Sequence, residues 1–204
     1  MTISVLDYQA GNIASVNRVV TRLGGSCKVI TTAEEVLKAN KIIFPGVGHF
    51  GKAMEYLHSQ GLVEALHEKV VVQRTPILGI CLGMQLMCKH SEEGNVAGLS
   101  WFDANVTRMK VEDTLRYKIP HTGWNTVQIM PNHPLLKNIN QDSEFYFVHT
   151  YHVHKAPKDQ VLTRTTFETP FISGLQIGNV FGVQFHPEKS HEAGSQLISN
   201  FIHL

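Results

Sequence analysis

The chain is poor in cysteine: three in 204 residues, Cys27, Cys81 and Cys88. An odd, sparse set excludes a disulfide scaffold and points to a reducing compartment. Charge of one sign is also missing. Eighteen Lys and Arg face seventeen Asp and Glu, a net charge of +1. A nucleic-acid binder needs a basic stripe to displace counterions, so that class is disfavoured. Long hydrophobic runs are absent too. The most apolar stretch, Ile77 to Cys88, is interrupted by Gly79, Gly83 and Gln85 and is too short to span a bilayer. Met1 leads straight into Thr2-Ile3-Ser4-Val5-Leu6-Asp7 without a basic start or a small-residue cleavage site, so a cytoplasmic protein is expected. With 43% hydrophobic residues the chain can fill a core, which excludes disorder. Its length suits one domain spanning 1–204.

Strand and helix patterns alternate in the first half. Ile3–Leu6, Cys27–Ile30, Lys41–Phe44 and Ile77–Ile80 read as strands. Between them, Asn12–Leu23 and Leu62–Val72 carry helical periods, and Thr32-Ala33-Glu34-Glu35 reads as a capping box. Leu82–Lys89 reads as a further helix. The alternation predicts an open α/β sheet, mostly parallel, with helices on both faces. From Ala104 onward, six short strand patterns (Val106–Met109, Val127–Met130, Phe145–Val148, Val161–Thr166, Phe171–Gln176 and Val180–Phe185) predict an antiparallel extension. Glu192–His203 closes the chain as a helix.

Gly79-Ile80-Cys81-Leu82-Gly83 follows a strand and precedes a helical pattern. A nucleophile between two such glycines is the elbow arrangement, in which a sharp turn lifts the central side chain above the sheet. The helix behind it aims its first amides at the sulfur and favours thiolate. The Leu82 amide then faces an oxyanion formed by attack. The bland alternative is a core cysteine between packing glycines. A base is supplied by Gly182-Val183-Gln184-Phe185-His186-Pro187-Glu188. A strand period of two puts His186 and Glu188 on one side, so Glu188 can orient the imidazole toward Cys81. Alone, this segment reads as an exposed turn; with the elbow it reads as a catalytic triad.

Gly46-Val47-Gly48-His49-Phe50-Gly51 matches a dinucleotide fingerprint, but the acidic residue wanted about 20 residues on is replaced by a helical pattern. The loop is better read as an oxyanion element in which Val47 or Gly48 supplies the second donor, or as a plain turn after Phe44. His149-Thr150-Tyr151-His152-Val153-His154 invites a metal reading. His152 and His154 would share a strand face with His149 opposite, and no cysteine or acid completes a site, so no metal and no other cofactor is expected.

Pro45-Gly46-Val47-Gly48, Gly79-Ile80-Cys81-Leu82-Gly83-Met84-Gln85 and Gln184-Phe185-His186-Pro187-Glu188-Lys189-Ser190 resemble the class I (triad) glutamine amidotransferases. Asp7-Tyr8 with Gly11-Asn12, Pro120-His121 with Gly123-Trp124-Asn125, and Tyr146-Phe147-Val148-His149-Thr150-Tyr151 resemble more narrowly the glutaminase subunits of imidazole glycerol phosphate synthase. The resemblance covers nearly the whole chain. It implies a flavodoxin-like fold, glutamine hydrolysis through a Cys81 thioester, and transfer of ammonia to a (β/α)8 cyclase subunit, HisF, in a one-to-one heterodimer of histidine biosynthesis. It further implies that Gln85, Glu93, Thr150 and Tyr151 contact glutamine and that Asn12, Trp124, Tyr146 and Lys189 lie near the barrel. Gln9 and Thr122 stand where the family usually has glycine and methionine. Ser190-His191 and Gly194 are shared with related subunits that feed surface-sugar amidotransferases, which is the nearest rival. A stand-alone cysteine hydrolase and a non-catalytic regulatory subunit are further rivals.

Overall fold

The computed structural model describes residues 2–130 and 133–204. Five strands form the parallel centre: β1 (Thr2–Leu6), β2 (Ser26–Ile30), β3 (Ile42–Gly46), β4 (Ile77–Cys81) and the late strand Val180–Val183. Their spatial order is β2, β1, β3, β4, then Val180–Val183, all parallel. The order reverses between β1 and β3, so the carboxyl ends of the strands open a crevice there, the usual place for a ligand in this architecture.

Helices cover both faces. α1 (Ile13–Arg22) lies on one face, while α2 (Ala33–Leu37), α3 (Phe50–Ser59) and α4 (Leu62–Leu66) lie on the other. The core is correspondingly split. Ile42 and Phe44 of β3 join the second set, and Ile43 between them packs with Val16, Val19 and Val20 of α1. This is why the central strands are apolar throughout rather than alternating. α1 starts where the Asn12 side chain accepts from Ser15 N. The Thr32 hydroxyl caps α2 by accepting from Glu35 N at 3.3 Å. Glu35 reaches back to Thr31 N at 3.0 Å, one residue beyond the reciprocal partner of an ideal capping box.

Past β4 comes α5 (Leu82–Leu86), then β5 (Cys88–Ser91), β6 (Val96–Ala97), β7 (Phe102–Arg108), β8 (His121–Thr126) and β9 (Gln128–Ile129). β10 (Glu144–His149), β11 (Tyr151–Val153), β12 (Val161–Phe167), β13 (Thr169–Ile177), β14 (Val180–Val183) and α6 (His191–His203) complete the chain. β13 and β11 continue the main sheet antiparallel beside β14, and β7, β5 and β6 follow outward. β8 and β10 pair separately as an antiparallel ribbon. α6 joins the α1 face through Leu197, Ile198 and Phe201.

The structure corrects several sequence expectations. The helix read over Leu82–Lys89 stops at Leu86, because Cys88–Ser91 pairs parallel with β7 and sheet pairing overrides the local helical pattern. The third strand runs through Pro45 and Gly46 instead of ending before them, since both pair with β4. β8, absent from the expected strands, is held by full register with β10. Helix α3 was hidden by the glycine loop. His49 caps it by accepting from Gly51 N and Lys52 N. The helix over Leu62–Val72 is present, but its second half, His67–Val72, is a π-helix. Gln9 has φ of 63°, a left-handed conformation that glycine would adopt without strain.

Candidate active site

Cys81 ends β4 with φ 54° and ψ −111°, and α5 begins at the next residue. A non-glycine residue at positive φ is strained, and such strain marks sites where a side chain must be aimed. The flanking glycines make the turn possible. A Cβ on Gly79 would lie 2.8 Å from Gly83 C, and a Cβ on Gly83 would lie 1.8 Å from Phe44 O. The Leu82 amide sits in the first turn of α5 and has no intrahelical acceptor.

His186 and Glu188 meet behind the sulfur. His186 Nδ1 lies 2.8 Å from Glu188 Oε1, and both side chains are almost fully buried. They do not share a face of an extended strand, as the period-two reading had it. β14 ends at Val183, and Pro187–Lys189 forms a 3-10 turn that folds the carboxylate back under the ring. Pro187 suits the first position of that turn because it has no amide to leave unpaired. Burial pulls the His186 pKa down, but the adjacent Cys81 sulfur and the Glu188 carboxylate outweigh it and raise it to about 10. His186 Nε2 makes no hydrogen bond of standard geometry. The Cys81 sulfur is nonetheless the first of the groups that raise its pKa.

A cavity of about 310 Å³ opens over the sulfur. That is the small end of ligand clefts, about 300–1,000 Å³, and suits a molecule the size of an amino acid. Val47, Gly48, Leu82, Gln85, Glu93, Thr150 and Tyr151 all line it. Every residue expected to contact substrate or oxyanion is thus brought to one cavity with Cys81. Gly48 has φ of 119°, a glycine conformation, with open space where a Cβ would project. Gln85 Nε2 is engaged by Tyr151 O and by Gln184 Oε1, each at 2.9 Å. Its carbonyl end is therefore the part left to accept from a ligand. One oxygen of Glu93 accepts from Phe50 N at 2.8 Å, at the start of α3.

Trp124, Tyr146 and Lys189 form one cluster. Trp124 and Tyr146 are register partners in the β8–β10 ribbon, and Lys189 Nζ lies 5.5 Å from the Tyr146 ring centroid. Trp124 is 43% exposed. Asn12 is at the start of α1, which packs against the 187–189 turn. Cys88 is buried and Cys27 half-buried, away from the cavity; burial pushes both thiols up. The His149–His154 segment does not gather ligands. Among the described residues no group of three His, Cys, Asp or Glu side chains could hold a metal ion. His149 instead bonds to His121.

Sequence reasoning passed over Gln184. It is fully buried, and its Nε2 lies 3.5 Å from Cys81 Sγ. Its place two residues before His186, just past the end of β14, was the available signal.

The family pattern for glutamine amidotransferase class-I matches residues 4–204. The chain is 43% identical over 202 residues to imidazole glycerol phosphate synthase subunit HisH 2 of Pseudomonas aeruginosa, covering 99% of each. It is 44% identical over 208 residues to the HisH subunit of Bacteroides fragilis, covering 100% of each. Among solved structures, PurLQS from Thermotoga maritima superposes with a TM-score of 0.77 at 15% identity, covering 99% of this chain and 97% of that one, a likeness of fold. Among the described residues no helix is long and apolar enough to cross a membrane. A strained cysteine elbow, a buried His–Glu pair and full-length relatives agree: the chain belongs to the class I glutamine amidotransferases, and within them to the HisH glutaminase subunits of imidazole glycerol phosphate synthase.

Proposed function

We propose that Cys81 is the nucleophile of this glutaminase, with His186 as its acid and base and Glu188 as the group that orients His186. The observation that carries the reading is the strained Cys81 turn beside the buried His186–Glu188 pair. The sulfur attacks the side-chain amide carbon of glutamine. The Leu82 amide, with that of Gly48 or Val47, receives the oxyanion, each donor being worth about 3 kcal/mol in comparable sites. His186 gives its proton to the departing nitrogen, which leaves as ammonia, and a thioester remains on Cys81. His186 then takes a proton from water as it attacks the thioester, and glutamate leaves with the sulfur restored. Gln85, Glu93, Thr150 and Tyr151 hold the amino-acid end of the substrate.

Ammonia is a nucleophile only while unprotonated, and at neutral pH bulk water converts it to ammonium. A sealed route to an acceptor is therefore required. The acceptor we propose is the cyclase barrel HisF, in a one-to-one heterodimer docked on the face of Asn12, Trp124, Tyr146 and Lys189. The whole chain acts as one amidotransferase domain, in the cytoplasm. The Pro45–Gly48 loop holds the isolated chain idle by turning an oxyanion donor away until the partner is liganded.

Glutamate release, measured for the chain alone and with HisF and that barrel's nucleotide ligand, tests the reading. Strong activation by liganded HisF, abolished by Cys81→Ala, is expected. Activity indifferent to HisF would move the partner to another pathway. Activity that survives Cys81→Ala would overturn the assignment of the nucleophile.

A further inference from the structure

We propose that Gln184 donates a side-chain N–H to the Cys81 sulfur, and that a hydrogen-bonded file through Gln85, the Tyr151 carbonyl, His149 and His121 locks it in that orientation. The inference rests on the reading of Cys81 as nucleophile.

An amide side chain can present either its oxygen or its nitrogen to a neighbour, and only its other contacts decide which. Here the decision can be traced. Gln85 approaches the Tyr151 carbonyl at 2.9 Å. A carbonyl only accepts, so the nitrogen end of Gln85 must face it. The second hydrogen on that nitrogen points to Gln184 at 2.9 Å, which must therefore answer with its oxygen. The nitrogen of Gln184 is left facing Cys81 Sγ at 3.5 Å. A buried donor at that distance stabilises a charged acceptor more than a neutral one.

Outward from Tyr151 the hydrogen bonds are ordered in the same way. Its carbonyl lies 2.9 Å from His149 Nδ1, which must carry a proton. A neutral His149 then has a bare Nε2, and His121 Nδ1 lies 3.0 Å from it. His121 must donate, which leaves its own Nε2 bare. Asn125 Nδ2 lies 3.3 Å from that atom, with its nitrogen end fixed by donation to Thr166 O at 2.9 Å. Donors and acceptors alternate without conflict from β8 to the sulfur. The file requires both histidines to be neutral, since a proton on either would set two N–H groups head to head. Burial supplies this condition, pushing His121 down to about 4 and His149 to about 3. The ionisable groups facing the sulfur itself are His186, beyond the end of β14, and Tyr8, beyond the end of β1. His149 also faces His186, but as a neutral ring it places no charge there, and substitutions at Gln184 leave both His186 and Tyr8 in place. Gln184 therefore touches the reacting atom, while His149 and His121 are positioning residues.

The test is the pH profile of iodoacetamide alkylation at Cys81 in the full chain, read by mass spectrometry on the Cys81 peptide so that Cys27 and Cys88 do not contribute. Gln184→Met keeps the shape and removes the donor. Loss of this donor to a charged acceptor should move the profile up by about one pH unit or more, so that on its acid limb alkylation slows about tenfold. Gln184→Glu, which places an oxygen against the sulfur, should slow it at least as much and serves if the first variant does not fold. His149→Phe should slow alkylation about threefold, and the double variant should be no slower than Gln184→Met alone, because His149 acts only through Gln184. A parental profile in Gln184→Met or Gln184→Glu overturns the donor. Effects that multiply in the double variant overturn the file. Either failure leaves glutamate release by the parental complex, and with it the proposed function, standing.

Discussion

Gly83 packs its α-carbon against the main chain of Phe44, so closely that a Cβ would lie 1.8 Å from the Phe44 carbonyl oxygen. Phe44 is in β3 and Gly83 in α5, so this contact seats the helix that follows Cys81 on the neighbouring strand. The obstacle is backbone, which cannot swing away as a flexible side chain can. Gly83→Ala should therefore separate α5 from β3 and tilt the Leu82 amide. We expect a loss of about 3 kcal/mol or more, at the upper end of overpacking effects, seen as a lower midpoint in urea unfolding. Glutaminase activity should fall further than stability explains, because the elbow itself is displaced.

Glu188 is nearly as confined, with Oε1 on His186 and Oε2 buried without a partner. Glu188→Gln keeps the shape and can still accept from His186 Nδ1 through its oxygen. It loses the negative charge that helps hold the His186 pKa up to about 10, and its amide can also turn to present a donor that selects the wrong tautomer. By analogy with other triads, kcat should drop about 10²–10⁴-fold, with KM little changed because Glu188 does not line the cavity. Steady-state glutamate release by the complex reads both parameters. A change confined to KM would contradict the role.

The parallel centre was legible because its physics is local. Strands buried on both faces must be apolar throughout, and Ile42 to Phe44 and Ile77 to Ile80 are. The elbow was legible only together with the His186-Pro187-Glu188 segment, because two glycines four apart at a strand end suit a packed core cysteine as well. What sequence could not reveal was set by distant partners. Cys88–Ser91 carries no strand pattern and becomes one only because β7 lies beside it. His186 and Glu188 meet through a turn at Pro187, not through the strand period that first linked them. Gln184 is silent in sequence because an amide's role depends on which end its neighbours demand. In the histidine segment, where ligand spacing already argued against a metal, sequence could not show that the fold pairs His149 with His121, 28 residues earlier.

That buried pair makes a prediction about acid. Burial pushes His121 and His152 down to about 4 and His149 to about 3. Each falls below the ordinary value of an unfolded histidine, so the unfolded chain binds more protons wherever the pH lies between the two. The stability that these three contribute is therefore full above about pH 6.5 and is lost as pH falls toward 4, with a slope of up to about 1.4 kcal/mol per pH unit for each proton taken up. His121 and His149 share a hydrogen bond, so their two protonation steps belong to the pair. Urea midpoints at pH 7.5, 6.5 and 5.5 should fall steadily below 6.5. In His121→Asn with His149→Asn the decline should be shallower, since only His152 of the three remains. An equal slope in that variant would place the acid sensitivity elsewhere.

Trp124 is the residue on which the proposed partner surface turns. Its indole lies 43% exposed, yet it is not free to move. It stacks on His191 at 4.7 Å with an interplanar angle of 2°, and meets Tyr146 edge-on at 6.0 Å. His191, at φ 44°, is held at the start of α6. A large aromatic that is both exposed and fixed loses little entropy when covered, which is the property of a binding hot spot. Thr122 projects from the same face of β8 two residues earlier, and as a small hydroxyl residue it adds little apolar area to the proposed interface. Trp124→Ala should weaken association with the cyclase barrel by about 2 kcal/mol, roughly thirtyfold, measured by isothermal titration calorimetry. Saturating partner should restore the glutaminase rate, because Trp124 lies outside the cavity around Cys81. A variant that binds as tightly as the parent would remove Trp124 from the interface and shift the docking face away from the β8–β10 ribbon.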